Sequence, residues 1–137
     1  MSFQPEPLPA EPLSLPQSFA RMEGWYEQAE APNRPQRNCN PGDLEFGRFA
    51  ASYGAVLETP LGSEEARFAC FPDNASGWAA LTGLLEDAAY SQLTVEAAVN
   101  KFAPPNENDS VGYSRDVCIW SQVQLTDIVG TVMGVSQ

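Results

Sequence analysis

Between Asp73 and Trp120, apolar residues recur at helical spacing in three separate bursts, which commits this half of the chain to helices. The first burst is Trp78, Leu81, Leu84, Leu85 and Ala88, on a helix expected from about Ala75 to Tyr90 behind an Asp73 or Asn74 cap. The second is Val95, Ala98, Val99 and Phe102, capped by Thr94 and stopped by Ala103-Pro104-Pro105. The third is Tyr113, Val117 and Trp120, capped by Asp109 or Ser110. From Thr126 one more helix is expected, weakened by Gly130, Gly134 and β-branched neighbours.

The first half is punctuated differently. Residues 1–16 hold five of the twelve prolines and read as a disordered, polyproline-like arm. The arm reads as a plain tail or as a docking segment for a protein partner. The remaining residues, 17–137, are expected to form a single domain. A short helix over Leu15–Gly24 is expected behind Ser14, with Leu15, Phe19 and Met22 on one face and Gly24 as its stop. Residues 31–44 are turn chemistry, rich in Pro, Asn and Gly. Short strands are expected near Asp43–Phe46, Gly54–Thr59 and Arg67–Phe71. The expected fold class is mainly α (α+β), with four to five short helices around a small β insertion.

Charge and composition remove whole classes of function. Seven basic residues against eighteen acidic ones leave a net charge of −11, which argues against a nucleic-acid partner because phosphate contacts need clustered Lys and Arg. The longest nearly apolar run, Ile128 to Val135, is far short of the ~20 residues of a membrane helix, so no membrane insertion is expected. The absence of histidine rules out Ser-His-Asp and Cys-His triads and His-ligated metals. Cys39, Cys70 and Cys118 are widely spaced and odd in number, which suits reduced thiols better than a disulfide framework. Asn106-Glu107-Asn108-Asp109 lacks the spacing of a calcium loop and reads as turn and helix cap. No metal and no cofactor is expected. The N-terminus has neither the basic start nor the apolar core of a signal peptide, so a cytoplasmic location is expected unless phage lysis or a dedicated secretion route exports the chain.

Any catalysis must then rest on carboxylates, cysteine, tyrosine or backbone, and Glu23 stands out. It is expected at a helix C-terminus, where the dipole disfavours its charge, beside Phe19, Met22, Trp25 and Tyr26. Such surroundings favour the neutral acid, the form that protonates a leaving oxygen in glycoside cleavage. The alternative is a solvated glutamate closing a helix.

Three stretches carry a family resemblance. They are Phe19-Ala20-Arg21-Met22-Glu23-Gly24-Trp25-Tyr26; Arg37-Asn38-Cys39-Asn40-Pro41-Gly42-Asp43-Leu44; and Phe68-Ala69-Cys70-Phe71-Pro72 with Gly77-Trp78-Ala79-Ala80-Leu81. Together with Phe102 to Asp109 and Tyr113, they resemble a group of lysozyme-like proteins found in phage particles and bacterial genomes. That group is often labelled virion structural or hypothetical. The likeness spans roughly residues 17–120. It departs at Cys39 and Asp43, where asparagine is usual. It implies a lysozyme-like fold, Glu23 as catalytic acid/base, and the glycan strand of peptidoglycan as partner.

The other candidate site residues follow from these stretches. Asp43 is the candidate second carboxylate, with Glu45 and Glu58 as rivals. Asn38 and Asn40 either orient a sugar N-acetyl group or a water, or simply hold a tight loop. Trp25 and Tyr26 are candidate cleft-wall aromatics, whereas Trp78 and Trp120 lie on helical stripes and read as core. Three functional classes remain: a muramidase or lytic transglycosylase, a non-catalytic structural or saccharide-binding protein on the same scaffold, and a peptide-binding adaptor that uses the proline arm.

Overall fold

The computed structural model describes residues 9–28 and 30–135. The stretch 1–8, half of the expected proline arm, lies outside the described residues. Among those described, the chain is mainly helical, with eight helices and one small two-stranded antiparallel sheet.

The first helix, α1, runs Leu15–Met22. Ser14 and Gln17 close a capping box: the Ser14 hydroxyl accepts from the Gln17 N–H, and the Gln17 side chain accepts from the Ser14 N–H. Leu15 and Pro16 are buried parts of this helix, so ordered structure begins before the expected boundary at residue 17. The helix ends in a Schellman motif. Trp25 N–H reaches back to the Ala20 carbonyl and Gly24 N–H to that of Arg21. That closure needs a left-handed residue, which Gly24 supplies at φ +87°. The motif fixes Glu23 as the capping residue.

Two single-turn helices follow: α2, Arg34–Arg37, within the turn-rich region, and α3, Arg48–Ala51, just beyond it. The strands are β1, Val56–Leu57, and β2, Ala69–Cys70, with Val56 opposite Cys70 and Leu57 opposite Ala69. An isolated bridge between Glu45 and Phe68 brings in the third expected strand segment. Beyond the sheet lie α4 (Asn74–Glu86), α5 (Ala88–Ser91), α6 (Val95–Phe102), α7 (Ser110–Ser121) and α8 (Val129–Met133).

The expectation of four to five helices is corrected to eight. Asp87 is extended (ψ 147°) and splits the long helix expected to run to Tyr90, its side chain capping α5 at the Ala89 N–H. The turn-rich composition around α2 and α3 hides single turns, and α2 has its own capping box between Asn33 and Gln36. The last helix starts at Val129, not Thr126.

The core forms where α1, α4, α6, α7 and α8 meet, around Phe19, Leu81, Leu85, Val95, Val99, Val117 and Val129. Phe19 is fully buried and meets Phe102 and Tyr113 edge-to-face, at 4.9 and 5.6 Å between ring centres. Trp120 is buried, as expected, beneath the Arg21 guanidinium. Trp78 is only half-buried at the edge of the core. Gly77 seats α4 on the Asn-Pro-Gly loop: a Cβ there would lie 1.9 Å from the Cys39 carbonyl oxygen.

Candidate active site

A groove of about 770 Å³ opens on the surface of the molecule. Glu23 enters it from the end of α1, and Asp43, Leu44 and Glu45 from the loop before the sheet. Arg48 to Ala50 of α3, Arg67 and Phe68 before β2, Leu84 of α4 and Tyr90 of α5 line further stretches. Lys101 to Pro104, with Glu107 and Asn108, complete the lining.

Glu23 is held by the helix cap and by one side-chain bond. The Tyr113 hydroxyl, from α7, donates to Glu23 Oε2 at 2.9 Å. Burial drives the Glu23 pKa up to about 7; the Tyr113 bond pulls it down and the nearby Asp43 charge pushes it up. Tyr113 is itself pushed well above the usual phenol range, by burial first and then by the charge of Glu23. It therefore acts as a neutral donor throughout the physiological range.

Asp43 occupies the left-handed region at φ +48°. Its Oδ1 is buried and has no hydrogen-bond partner. Burial raises its pKa to about 6, opposed by Arg34 and Arg67 and assisted by Glu58. Two carboxyls with pKa values displaced toward neutrality thus share one groove.

The other asparagines and acids have separate tasks. Asn40 is fully buried: its amide donates to the Leu44 and Ala69 carbonyls and accepts from the Leu44 N–H, each at 2.9 Å. This set uses both N–H groups and the oxygen on backbone, so Asn40 locks the loop that carries Asp43. Asn38 is also buried and donates to Glu58 Oε1 at 3.0 Å. Glu58, a rival for second carboxylate, lies outside the groove lining. It is buried and accepts from Arg34 twice, from Asn38, and from the Arg67 and Phe68 N–H groups. Chiefly through Arg34, these donors hold its carboxyl far below the usual carboxylate range. Glu58 is the clamp that joins α2 to the sheet.

The aromatics expected as cleft walls, Trp25 and Tyr26, lie elsewhere. Trp25 packs edge-to-face on Trp78 at 5.8 Å, and its carbonyl accepts from Gln36. Tyr26 is exposed. Neither lines the groove, because the Schellman closure carries the chain after Gly24 toward α2 and α4. The groove's own rings are Phe49, Phe68, Tyr90 and Phe102. Glu45 is on the groove rim, paired with Arg67, which also reaches Glu107 at 3.9 Å.

The candidate residues thus divide. Glu23, Asp43 and Glu45 converge on the groove; Asn38 and Asn40 support it from beneath; Trp25 and Tyr26 stand apart. Tyr113 joins the site unannounced by the sequence, where only a helical stripe marks it and its partner lies 90 residues away. The expected turn-and-cap role of Asn106–Asp109 is met: Asp109 caps α7 by accepting from the Gly112 N–H. All three cysteines are free thiols. Comparison with protein-family models, with curated proteins and with solved structures gives no match, so the reading of this groove rests on its own chemistry.

Proposed function

We propose that the protein is a peptidoglycan-cleaving muramidase or lytic transglycosylase on a lysozyme-like scaffold, with Glu23 as general acid/base. The observation that carries this is Glu23 itself: a desolvated carboxyl with a pKa of about 7, fixed at a helix end by Tyr113 and open to a groove. Such a group is half protonated near neutral pH, the best compromise between holding and transferring a proton.

The proton on Glu23 passes to the bridging oxygen as the glycosidic bond breaks and positive charge grows on the sugar ring. Glu23, now ionised, accepts a proton from the incoming nucleophile. Water gives hydrolysis; a hydroxyl of the substrate gives transglycosylation. Asp43 is ionised above about pH 6 and lines the same groove, where its charge stabilises the cationic ring. Phe49, Phe68, Tyr90 and Phe102 supply apolar surface for sugar faces.

The test is muropeptide release from purified cell wall at pH 6.5 by the wild type and by Glu23→Gln. The wild type is expected to release fragments, and the variant to lose on the order of 100-fold or more of that rate. No release by the wild type, or equal release by both, would favour the non-catalytic structural or saccharide-binding alternative.

A further inference from the structure

The chain carries eighteen acids and only seven bases, so an unpaired cation is a scarce resource, and its position is informative. Arg34, Arg37, Arg67 and Arg115 each face a carboxylate, at Glu58, Glu64, Glu45 and Asp116. Arg21 lies over the Trp120 ring. Among the described residues, Arg48 and Lys101 are the groove bases that form no ion pair with a carboxylate. Both line the groove, and both are exposed.

Their surroundings keep them available. The rim acids Glu45 and Glu107 are engaged by Arg67. The Lys101 ammonium lies over the Tyr90 ring, Nζ 5.5 Å from its centre, a contact that positions the cation at the groove without neutralising its charge. Arg48 opens α3 next to the groove residue Phe49. With Glu23 holding its proton, the lining carries three acidic and three basic charges and is formally neutral. A formally neutral groove with two cations not paired to a carboxylate, on a molecule of −11, relieves the repulsion that an incoming anion meets elsewhere on the surface.

We infer that the groove selects a glycan bearing a carboxylate, and that Arg48 and Lys101 hold that carboxylate while the sugar rings lie along the groove. The inference rests on the glycan site proposed above and names its substrate class. The lactyl carboxylate of N-acetylmuramic acid and the ring carboxylate of a uronic acid share this chemistry. The two cations explain how a strongly acidic protein engages an anionic polymer at one place.

Binding measured by calorimetry on the Glu23→Gln protein, where turnover is stopped, tests this. Three probes are used: an N-acetylglucosamine–N-acetylmuramic acid oligosaccharide, a neutral N-acetylglucosamine oligomer of equal length, and a hyaluronan oligosaccharide. The carboxylate-bearing probe is expected to bind about fivefold or more tighter than the neutral one, the order expected of a single well-placed charge contact. Binding preference for the muramic or the hyaluronan probe identifies which carboxylate the groove takes. The Arg48→Gln/Lys101→Gln double variant is expected to bring the charged probe down to the neutral probe's affinity without changing the latter. Arg115→Gln, a base outside the groove lining, is expected to change neither. Equal affinity for charged and neutral probes, unchanged affinity in the double variant, or no binding of any probe would overturn the inference. Discrimination that persists in a protein without Glu23-dependent cleavage would leave the binding inference standing and remove only the catalytic reading.

Discussion

At the scale of single residues, the stability of the molecule should report on its chemistry. Glu23 has a raised folded-state pKa, so the native state holds its proton more tightly than the unfolded chain does. Its contribution to stability is complete below the unfolded value near 4.5 and is lost as pH rises through about 7. The displacement corresponds to about 3 kcal/mol. Glu23→Gln removes the ionising group and still accepts the Tyr113 bond. At pH 8 it is expected to melt roughly 5–10 °C above the wild type, and at pH 4 close to it. Equal melting temperatures at both pH values would mean that Glu23 is not desolvated. Glu58 has the opposite sign. Its depressed pKa stabilises the fold above the unfolded value near 4.5, and this is lost as pH falls. Glu58→Ala leaves the Arg34 charge and two backbone N–H groups without their acceptor and should cost about 3–5 kcal/mol, read from a urea midpoint. A loss within about 0.5 kcal/mol would show that the clamp is idle. Neither the clamp nor Tyr113 was legible as such in the sequence, because their partners lie 9 to 90 residues away.

At the scale of elements, legibility followed locality. The caps of α1, α4, α6 and α7 were readable because each uses a side chain and an N–H three residues apart. Glu23 was readable because the Glu-Gly sequence is itself the end of the helix. Asn38 and Asn40 were ambiguous for a physical reason: an amide that can orient a sugar can equally satisfy buried backbone, and only the fold shows that it does the latter. Trp25 misled because its direction depends on a left-handed glycine and on the position of α2 beyond it. The seating of α4 on the Asn-Pro-Gly loop gives a prediction at this scale. Gly77→Ala forces a Cβ against the Cys39 carbonyl and should destabilise by about 2 kcal/mol or more, displacing the loop that carries Asp43. An unchanged urea midpoint would show that the contact yields without cost.

At the scale of the whole molecule, the groove joins residues that the chain supplies from both of its halves. Burial raises Glu23 to about 7 and Asp43 to about 6, so an activity that needs Glu23 protonated and Asp43 ionised should follow a bell with limbs near pH 6 and 7. Asp43→Asn removes a like charge from beside Glu23 and should move the alkaline limb to lower pH; a limb that stays in place would separate the two carboxyls. It takes the complete fold to keep Glu23 dry, since α1 supplies the position, α7 the hydroxyl and the Asn-Pro-Gly loop the second acid. The most direct measurement is the titration of the Glu23 carboxyl carbon by NMR in the intact protein, with Glu23→Gln assigning the signal. The fold described here requires a midpoint of about 7. A midpoint near the ordinary glutamate value of about 4.3 would contradict it and leave the groove without its acid.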